Sequence, residues 1–259
     1  EGETFETIIL PAIAEENDVL GRKVGEALWP ERFPLSELEK IRKAIGRLEW
    51  DSLYQQKPSI EGGGMFKSEQ FKYFKLIDNE IIREDGSRIA LDDCRIFQIA
   101  DTALKTAKQN DDTGIGTFAL DKKHNLYLLD MLLDKIEVPD QYGEIKRRHS
   151  QWGAQFSAIE DKQSGTGIIQ EAQRESFPLR ALKANGDKTT RAFNISVKFE
   201  HGKVYFNKAI KCLTKLEEQL KKFPNAAHDD GVDVMSYAGI VTGELTSLFG
   251  YIGKKVVSV

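Results

Sequence analysis

The stretch RIFQIADTALKTAKQNDDTGIGTFALDKKHNLYLLDMLLD, residues 95–134, decides the fold. Arg95 to Ala100 is a short apolar run that halts at Asp101. Gly114 to Leu120 and Leu126 to Asp134 are two further runs of strand type, and the turn residues Asp121 to Asn125 join them as a hairpin. Downstream the period changes: Gln141 to Gly153 reads as helix, Phe156 to Ile159 as a buried strand ending at Glu160. Gly167 to Glu175 is again helical, and Phe177 to Leu182 is another short strand. A strand and a hairpin followed by alternating helix and strand predict an α/β fold, a mixed sheet flanked by helices.

Outward from this core, Thr189 to Val197 reads as helix, followed by a small β-hairpin made of Val197 to Glu200, the turn His201-Gly202, and Val204 to Phe206. Lys208 to Lys222 has an amphipathic helical pattern, and His228 or Asp229 opens a last helix running to about Leu245. Before the core, Trp29 to Pro58 reads as linker and helix: Pro30 and Pro34 break structure, Ser36 can cap, and Leu38, Ile41, Ile45 and Leu48 recur at helical spacing. Gly62, Gly63 and Gly64 make a flexible joint. Two parts are therefore expected, a linker arm over 1–62 and a main domain over 63–259. Because the chain opens at Glu1 in apolar, strand-like sequence from Phe5 to Ile13, it reads as a piece of a longer polypeptide.

With 259 residues, 40% of them hydrophobic, the chain can bury one substantial core. The absence of any apolar run of membrane-spanning length, and of a signal-type start, predicts a soluble intracellular protein without a membrane partner. Cys94 and Cys212 lie far apart without metal-ligand spacing, which argues against a disulfide framework or a zinc site. The net charge of -4 hides an uneven distribution. Residues 1–40 hold four Lys/Arg against ten Asp/Glu, whereas residues 183–222 hold ten against four, a candidate phosphate-facing surface that includes Lys183, Lys188, Arg191, Lys198 and Lys203. A G-x-x-x-x-G-K-[ST] phosphate loop is absent, so ATP hydrolysis by that route is not expected.

Candidate chemistry gathers on acids. Asp101 and Glu160 each follow an apolar strand, and in an open α/β sheet ligands sit beyond the carboxyl ends of central strands. If those two strands are parallel neighbours, two carboxylates meet at one sheet edge. HDDGVDVMSYA, residues 228–238, supplies the rest. At about 100° per residue, Asp229 and Asp233 lie about 40° apart on a helix, and Asp230 and Asp233 about 60° apart. Carboxylates so crowded repel unless a cation neutralises them. Hard oxygen donors without thiolates suit Mg²⁺ or Mn²⁺, and a pair of such ions about 3.5–4 Å apart suits in-line phosphodiester hydrolysis. Capping and the helix dipole account equally well for His228, Asp229 and Asp230, but Asp233, a full turn in, is not explained by capping. His149, beside Arg147 and Arg148, reads as a surface residue.

These residues resemble a known family, the large subunit of tailed-phage terminase. ALWPERFPLSELEKIRKAIGRLEWDSLYQQKP is similar to the stretch leaving the ATPase domain of that family, and EGGGMFKSEQF to the entry into its nuclease domain. FQIADTA, AIEDKQSGTGIIQE, LKANGDKTTRAF and HDDGVDVMSYA are similar, in that order, to segments of the nuclease domain. The resemblance implies a ribonuclease-H-like mixed sheet and a metal-dependent endonuclease that cuts concatemeric viral DNA during packaging with weak sequence specificity. It places the first acid on Asp101, the second on Glu160 with Asp161 as a lesser substitute, and the third among Asp229, Asp230 and Asp233, with Asp230 ranked first. His228 and Lys162 become auxiliary candidates, and Lys188 and Arg191 match positions that would face DNA. The partners it implies are double-stranded DNA, a small terminase subunit and the capsid portal, in a host cytoplasm, with the isolated domain monomeric.

Two other readings use the same residues. One is a resolvase-like, structure-selective nuclease; the other is a portal or small-subunit docking module with a vestigial metal site, for which Phe249 and Tyr251 are contact candidates. The basic stretch 183–222 generates a first prediction. Duplex binding measured by fluorescence anisotropy is expected to weaken steeply between 50 and 200 mM salt, on the order of tenfold or more if several phosphates are neutralised. Affinity that stays flat over that range refutes a phosphate-facing role.

Overall fold

The structure, a computed structural model, describes residues 8–57, 64–102, 112–183, 186–226 and 228–255. The chain divides into two compact units, residues 1–65 and 66–259.

In the first unit, α1 (Leu35–Glu49) is preceded by Pro34 in extended conformation; Ser36, expected to cap, already lies inside the helix. No side chain caps this helix, and the Pro34 carbonyl accepts the Glu37 and Leu38 N–H groups at 2.9 and 3.1 Å. Of the strand-like opening, residues 5–7 lie outside the described residues, and Ile8 to Ala12 forms no strand; Ile13 makes one isolated antiparallel bridge to Ala27. Ala27, Leu38 and stacked Trp50 and Tyr54 form a small core. Gln55 joins its amide to the backbone of Ile13 in both directions, at 3.0 Å each. Of the three expected joint glycines, Gly62 and Gly63 lie outside the described residues.

The second unit holds one nine-stranded mixed sheet. In chain order its strands and helices are β1 (Lys72–Ile77), β2 (Glu80–Arg83), β3 (Arg88–Ala90), β4 (Arg95–Asp101), β5 (Thr113–Leu120), β6 (Leu126–Asp134), α2 (Val138–Trp152), β7 (Ser157–Glu160), α3 (Gln163–Arg174), β8 (Leu179–Leu182), α4 (Lys188–Glu200), β9 (Val204–Asn207), α5 (Leu213–Lys222) and α6 (Asp230–Lys255). Across the sheet the order is β3-β2-β1-β9-β6-β5-β4-β7-β8. β4, β5 and β6 form the expected antiparallel core, and β7 lies parallel to β4.

Residue alternation assigns the two faces. Ala100, Ile115 and Ile159 turn to one face, where Tyr142 and Ile145 of α2 and Ile168 and Ala172 of α3 cover them. Gly114 and Gly116 of β5 turn to the other, against Val234 of α6. A Cβ on Gly114 would stand 2.7 Å from Val234 Cγ2 and 3.2 Å from the Asp230 carbonyl oxygen, so only glycine lets α6 lie this close.

The expected small hairpin over 197–206 does not form. Val197 to Glu200 is the last turn of α4, and β9 lies parallel between β1 and β6. Asp187 caps α4 by accepting the Thr190 N–H at 2.7 Å, and the buried Ala192, Ile195 and Phe199 carry the helical spacing through 200. His201 and Gly202 therefore end a helix. The hairpin of β1 and β2 turns instead at Asp78 and Asn79, both with positive φ, and with β3 it extends the sheet beyond the expected strands. The expected helix over Lys208 to Lys222 begins only at Leu213.

β9 accompanies β6 only from Leu126 to Leu128. Beyond that, side chains take over the strand's carbonyls. Asn207 Nδ2 donates to Leu129 O at 2.9 Å, Cys212 Sγ to Met131 O at 3.3 Å, and Lys215 Nζ to Leu133 O at 3.2 Å.

The seat of α6 on β5 generates the second prediction. Gly114→Ala is expected to lower stability by about 1–3 kcal/mol in urea unfolding, because overpacking a close contact forces the neighbours apart. Unchanged stability would show that α6 is not held at this distance.

Candidate functional site

Asp101 ends β4 and Glu160 ends β7. The parallel register pairs Ala100 with Ile159, so the next positions, Asp101 and Glu160, are neighbours on the face opposite α2 and α3. Asp101 also pairs with Gly114 across the antiparallel ladder. The glycine that admits α6 is thus the direct neighbour of the first acid, and the first turn of α6, with Asp230 and Asp233, comes down onto that position.

Glu160 is 3% exposed. Both of its carboxylate oxygens are buried, and the Lys162 ammonium lies against one as its charge partner. The chain turns here because Lys162 N–H donates to Glu160 O at 2.9 Å and α3 starts at once. Gly165 makes that possible: a Cβ there would stand 2.4 Å from the Glu160 carbonyl oxygen.

Burial, then the charges of Asp233, Glu160 and Asp230, push the Asp101 carboxyl up to about 7, with Lys162 opposing. Such a shift marks carboxylates gathered without enough positive charge between them. Tyr237, two turns into α6, is held far above the ordinary phenol range by burial and then by Glu160.

Cations stand around the rim of this cluster. Lys188 Nζ is 2.6 Å from Asp229 Oδ1 and 3.1 Å from Asp233 Oδ2. Arg191 Nη2 is 2.9 Å from Asp233 Oδ1, and its guanidinium lies 5.5 Å from the Tyr237 ring centroid. Burial works against the charge of both cations, but their carboxylate partners outweigh it and raise both.

The expected acids Asp101, Glu160, Asp230 and Asp233 are therefore brought together, with Asp229 at the edge. Asp161 points to solvent, as does His228. Arg191, expected to face DNA, is buried and committed to Asp233, because a cation is needed beside that carboxylate. Lys183 and Lys188 are exposed, while Lys198 and Lys203 are partly buried, and burial lowers Lys198. Sequence reasoning missed Tyr237, whose spacing of four from Asp233 was the available signal. His149, expected at the surface, is partly buried, with Nδ1 3.0 Å from Ser157 Oγ, on the helix-covered face away from the acids.

Among the described residues no three His, Cys, Asp or Glu side chains converge closely enough to cage an ion as they stand. The donor set nonetheless fits a hard divalent cation in kind. It is all carboxylate oxygen, and in Glu160 both oxygens are buried.

A family model described as the terminase RNaseH-like domain matches residues 98–240. Among solved structures, the chain is similar to the large terminase of the thermophilic bacteriophage D6E, with 12% identity and a TM-score of 0.52 over 78% of this chain and 51% of that one. It is similar also to the large terminase nuclease of the thermophilic phage G20c with bound magnesium, with 14% identity and a TM-score of 0.48 over 69% and 97%. At such identities the D6E likeness speaks for the fold alone. No curated protein matches the chain.

The crowding of charge generates the third prediction. In the metal-free protein Asp101 has a folded pKa above its unfolded value, so its contribution to stability is fully present below about pH 4 and is lost as pH rises toward about 7. Asp101→Asn in EDTA is expected to match wild type near pH 4 and to exceed it at pH 8 by about 1–2 kcal/mol in urea unfolding. A variant less stable than wild type at pH 8 contradicts this.

Proposed function

This chain belongs to the terminase RNaseH-like domain family, and from that membership we propose that it is a divalent-metal-dependent DNA endonuclease of viral genome packaging. The observation that carries the reading is the desolvated gathering of Asp101, Glu160 and the first turn of α6 at the carboxyl ends of two parallel neighbours. Asp101, Glu160 and Asp230 are the residues proposed to hold Mg²⁺ or Mn²⁺. Asp229 and Asp233 rank behind them because Lys188 and Arg191 already engage their oxygens.

The bound cations supply Lewis acidity toward phosphate and an acidified water. The protein's part is positional. The β4–β7 register fixes two carboxylates side by side, and the glycine-floored seat of α6 fixes the third. Arg191 keeps Asp233 oriented from its buried side, and Lys162 offsets the charge of Glu160. The overall reaction adds water across a P–O bond of duplex DNA, releasing one phosphate-ended and one hydroxyl-ended strand. Lys183, Lys188 and Lys203 are proposed to meet the DNA backbone, which favours weak sequence specificity, since phosphate contacts position DNA without reading it. The small terminase subunit and the portal are proposed partners of the parent protein.

The fourth prediction tests the reading directly. Incubated with Mn²⁺ or Mg²⁺, the protein is expected to nick and linearise plasmid, and Asp101→Ala to lose that activity while keeping its circular dichroism spectrum. Plasmid left intact by both proteins overturns the assignment.

A further inference from the structure

Arg191 and Lys188 both grip Asp233, but on different terms. Arg191 is 5% exposed and holds Oδ1 from inside the protein; its planar fork is stacked toward Tyr237 and has nowhere else to go. Lys188 is the first residue of α4, its side chain 48% exposed, and its ammonium bridges Asp233 Oδ2 and Asp229 Oδ1. A lysine is a point charge on a flexible four-carbon stem, so it can leave without dismantling the helix that carries it.

Two carboxylate oxygens within 2.6 and 3.1 Å of one ammonium converge on a point where a cation is already needed. Any divalent ion drawn by Asp229 or Asp233 has to displace that ammonium or work against its charge. When Lys188 withdraws, Arg191 still orients Asp233, so the freed oxygens keep their aim. Lys188 belongs to the strongly basic stretch 183–222, which also carries the exposed Lys183. An incoming polyanion offers it another partner there.

We propose that Lys188 is an internal counter-ion of the acid cluster, which holds off divalent cations while DNA is absent and passes to a backbone phosphate when DNA arrives. The proposal rests on the nuclease reading above. Its consequence is coupling: metal and DNA each favour the state in which Lys188 has left the acids, so each promotes binding of the other.

The test uses the full chain in two measurements that do not depend on cleavage. In calorimetric titration with Mn²⁺ and no DNA, Lys188→Gln is expected to bind the ion about five- to tenfold more tightly than wild type, a size set by removing one nearby like charge. Lys188→Arg, which keeps the charge, is expected to bind like wild type, as is Lys221→Gln, the same charge change on the exposed side of α5. In EDTA, the slope of log affinity for duplex DNA against log salt is expected to fall by about one in Lys188→Gln, the loss of one phosphate contact. A bridge that only braces the fold would lower the melting temperature and move neither quantity. Unchanged or weaker Mn²⁺ binding by Lys188→Gln overturns the counter-ion role, as does equal tightening in Lys188→Arg. An unchanged salt slope overturns the transfer to phosphate. If Mn²⁺ binds neither wild type nor variant, the metal-dependent reading fails along with the proposal, whereas equal binding to both removes the proposal alone.

Discussion

Repulsion among carboxylates is the constraint on which this molecule turns. Two strands run parallel and end in Asp101 and Glu160, and a helix brings two further acids onto the same spot. Nothing in that arrangement is favourable in itself. It persists because apolar packing on both faces of the sheet outweighs it: the α2 and α3 layer over Ala100, Ile115 and Ile159 on one side, and α6 seated on Gly114 and Gly116 on the other. The lysines and arginine at the rim then divide the remaining charge. Arg191 gives a permanent partner from within, and Lys162 and Lys188 give removable ones from the solvent side. Sites that hold charge against its preference in this way are where function commonly trades against stability.

How much of this was legible depended on whether a local pattern stood alone. The run from Arg95 to Asp134 was readable because apolar strands of sufficient length are bounded by unmistakable turn residues, and the register of Asp101 beside Glu160 follows once the strands are neighbours. The third acid was readable only as a set, since spacing on a helix says which residues share a face but not which oxygens neighbouring cations have taken. In the structure Asp229 and Asp233 lie within ion-pair distance of Lys188 and Arg191, contacts that no periodicity announces. Those contacts join residues some forty positions apart.

The failures have physical causes too. Val197 to Glu200 has the branched and aromatic residues of a strand, and Gly202 the look of a hairpin turn, but burial of Ile195 and Phe199 at helical spacing decided for helix. Tertiary packing overrode local propensity there. Lys72 to Ala90 carries little strand signal because β1 and β2 bury one residue each over only a few positions, with a turn at Asp78-Asn79 rather than at a glycine. Arg191 was expected to face DNA because it matches a family position within a basic stretch. Its burial shows that a basic residue in a basic stretch still answers first to the nearest buried carboxylate.

The half-paired strand β6 has a consequence for how the molecule keeps its own company. A sheet whose inner strand outlasts its neighbour offers an invitation to any extended segment, including one from another copy of the chain. Here the invitation is withdrawn by three unlike groups, an amide from Asn207, a thiol from Cys212 and an ammonium from Lys215, each on a successive outward carbonyl. A strand arriving at that edge meets acceptors already taken and, at the far end, the ion pair of Lys215 with Asp112. The edge is thus closed by side chains from one short segment, and oxidation or alkylation of Cys212 would reopen the middle of the row.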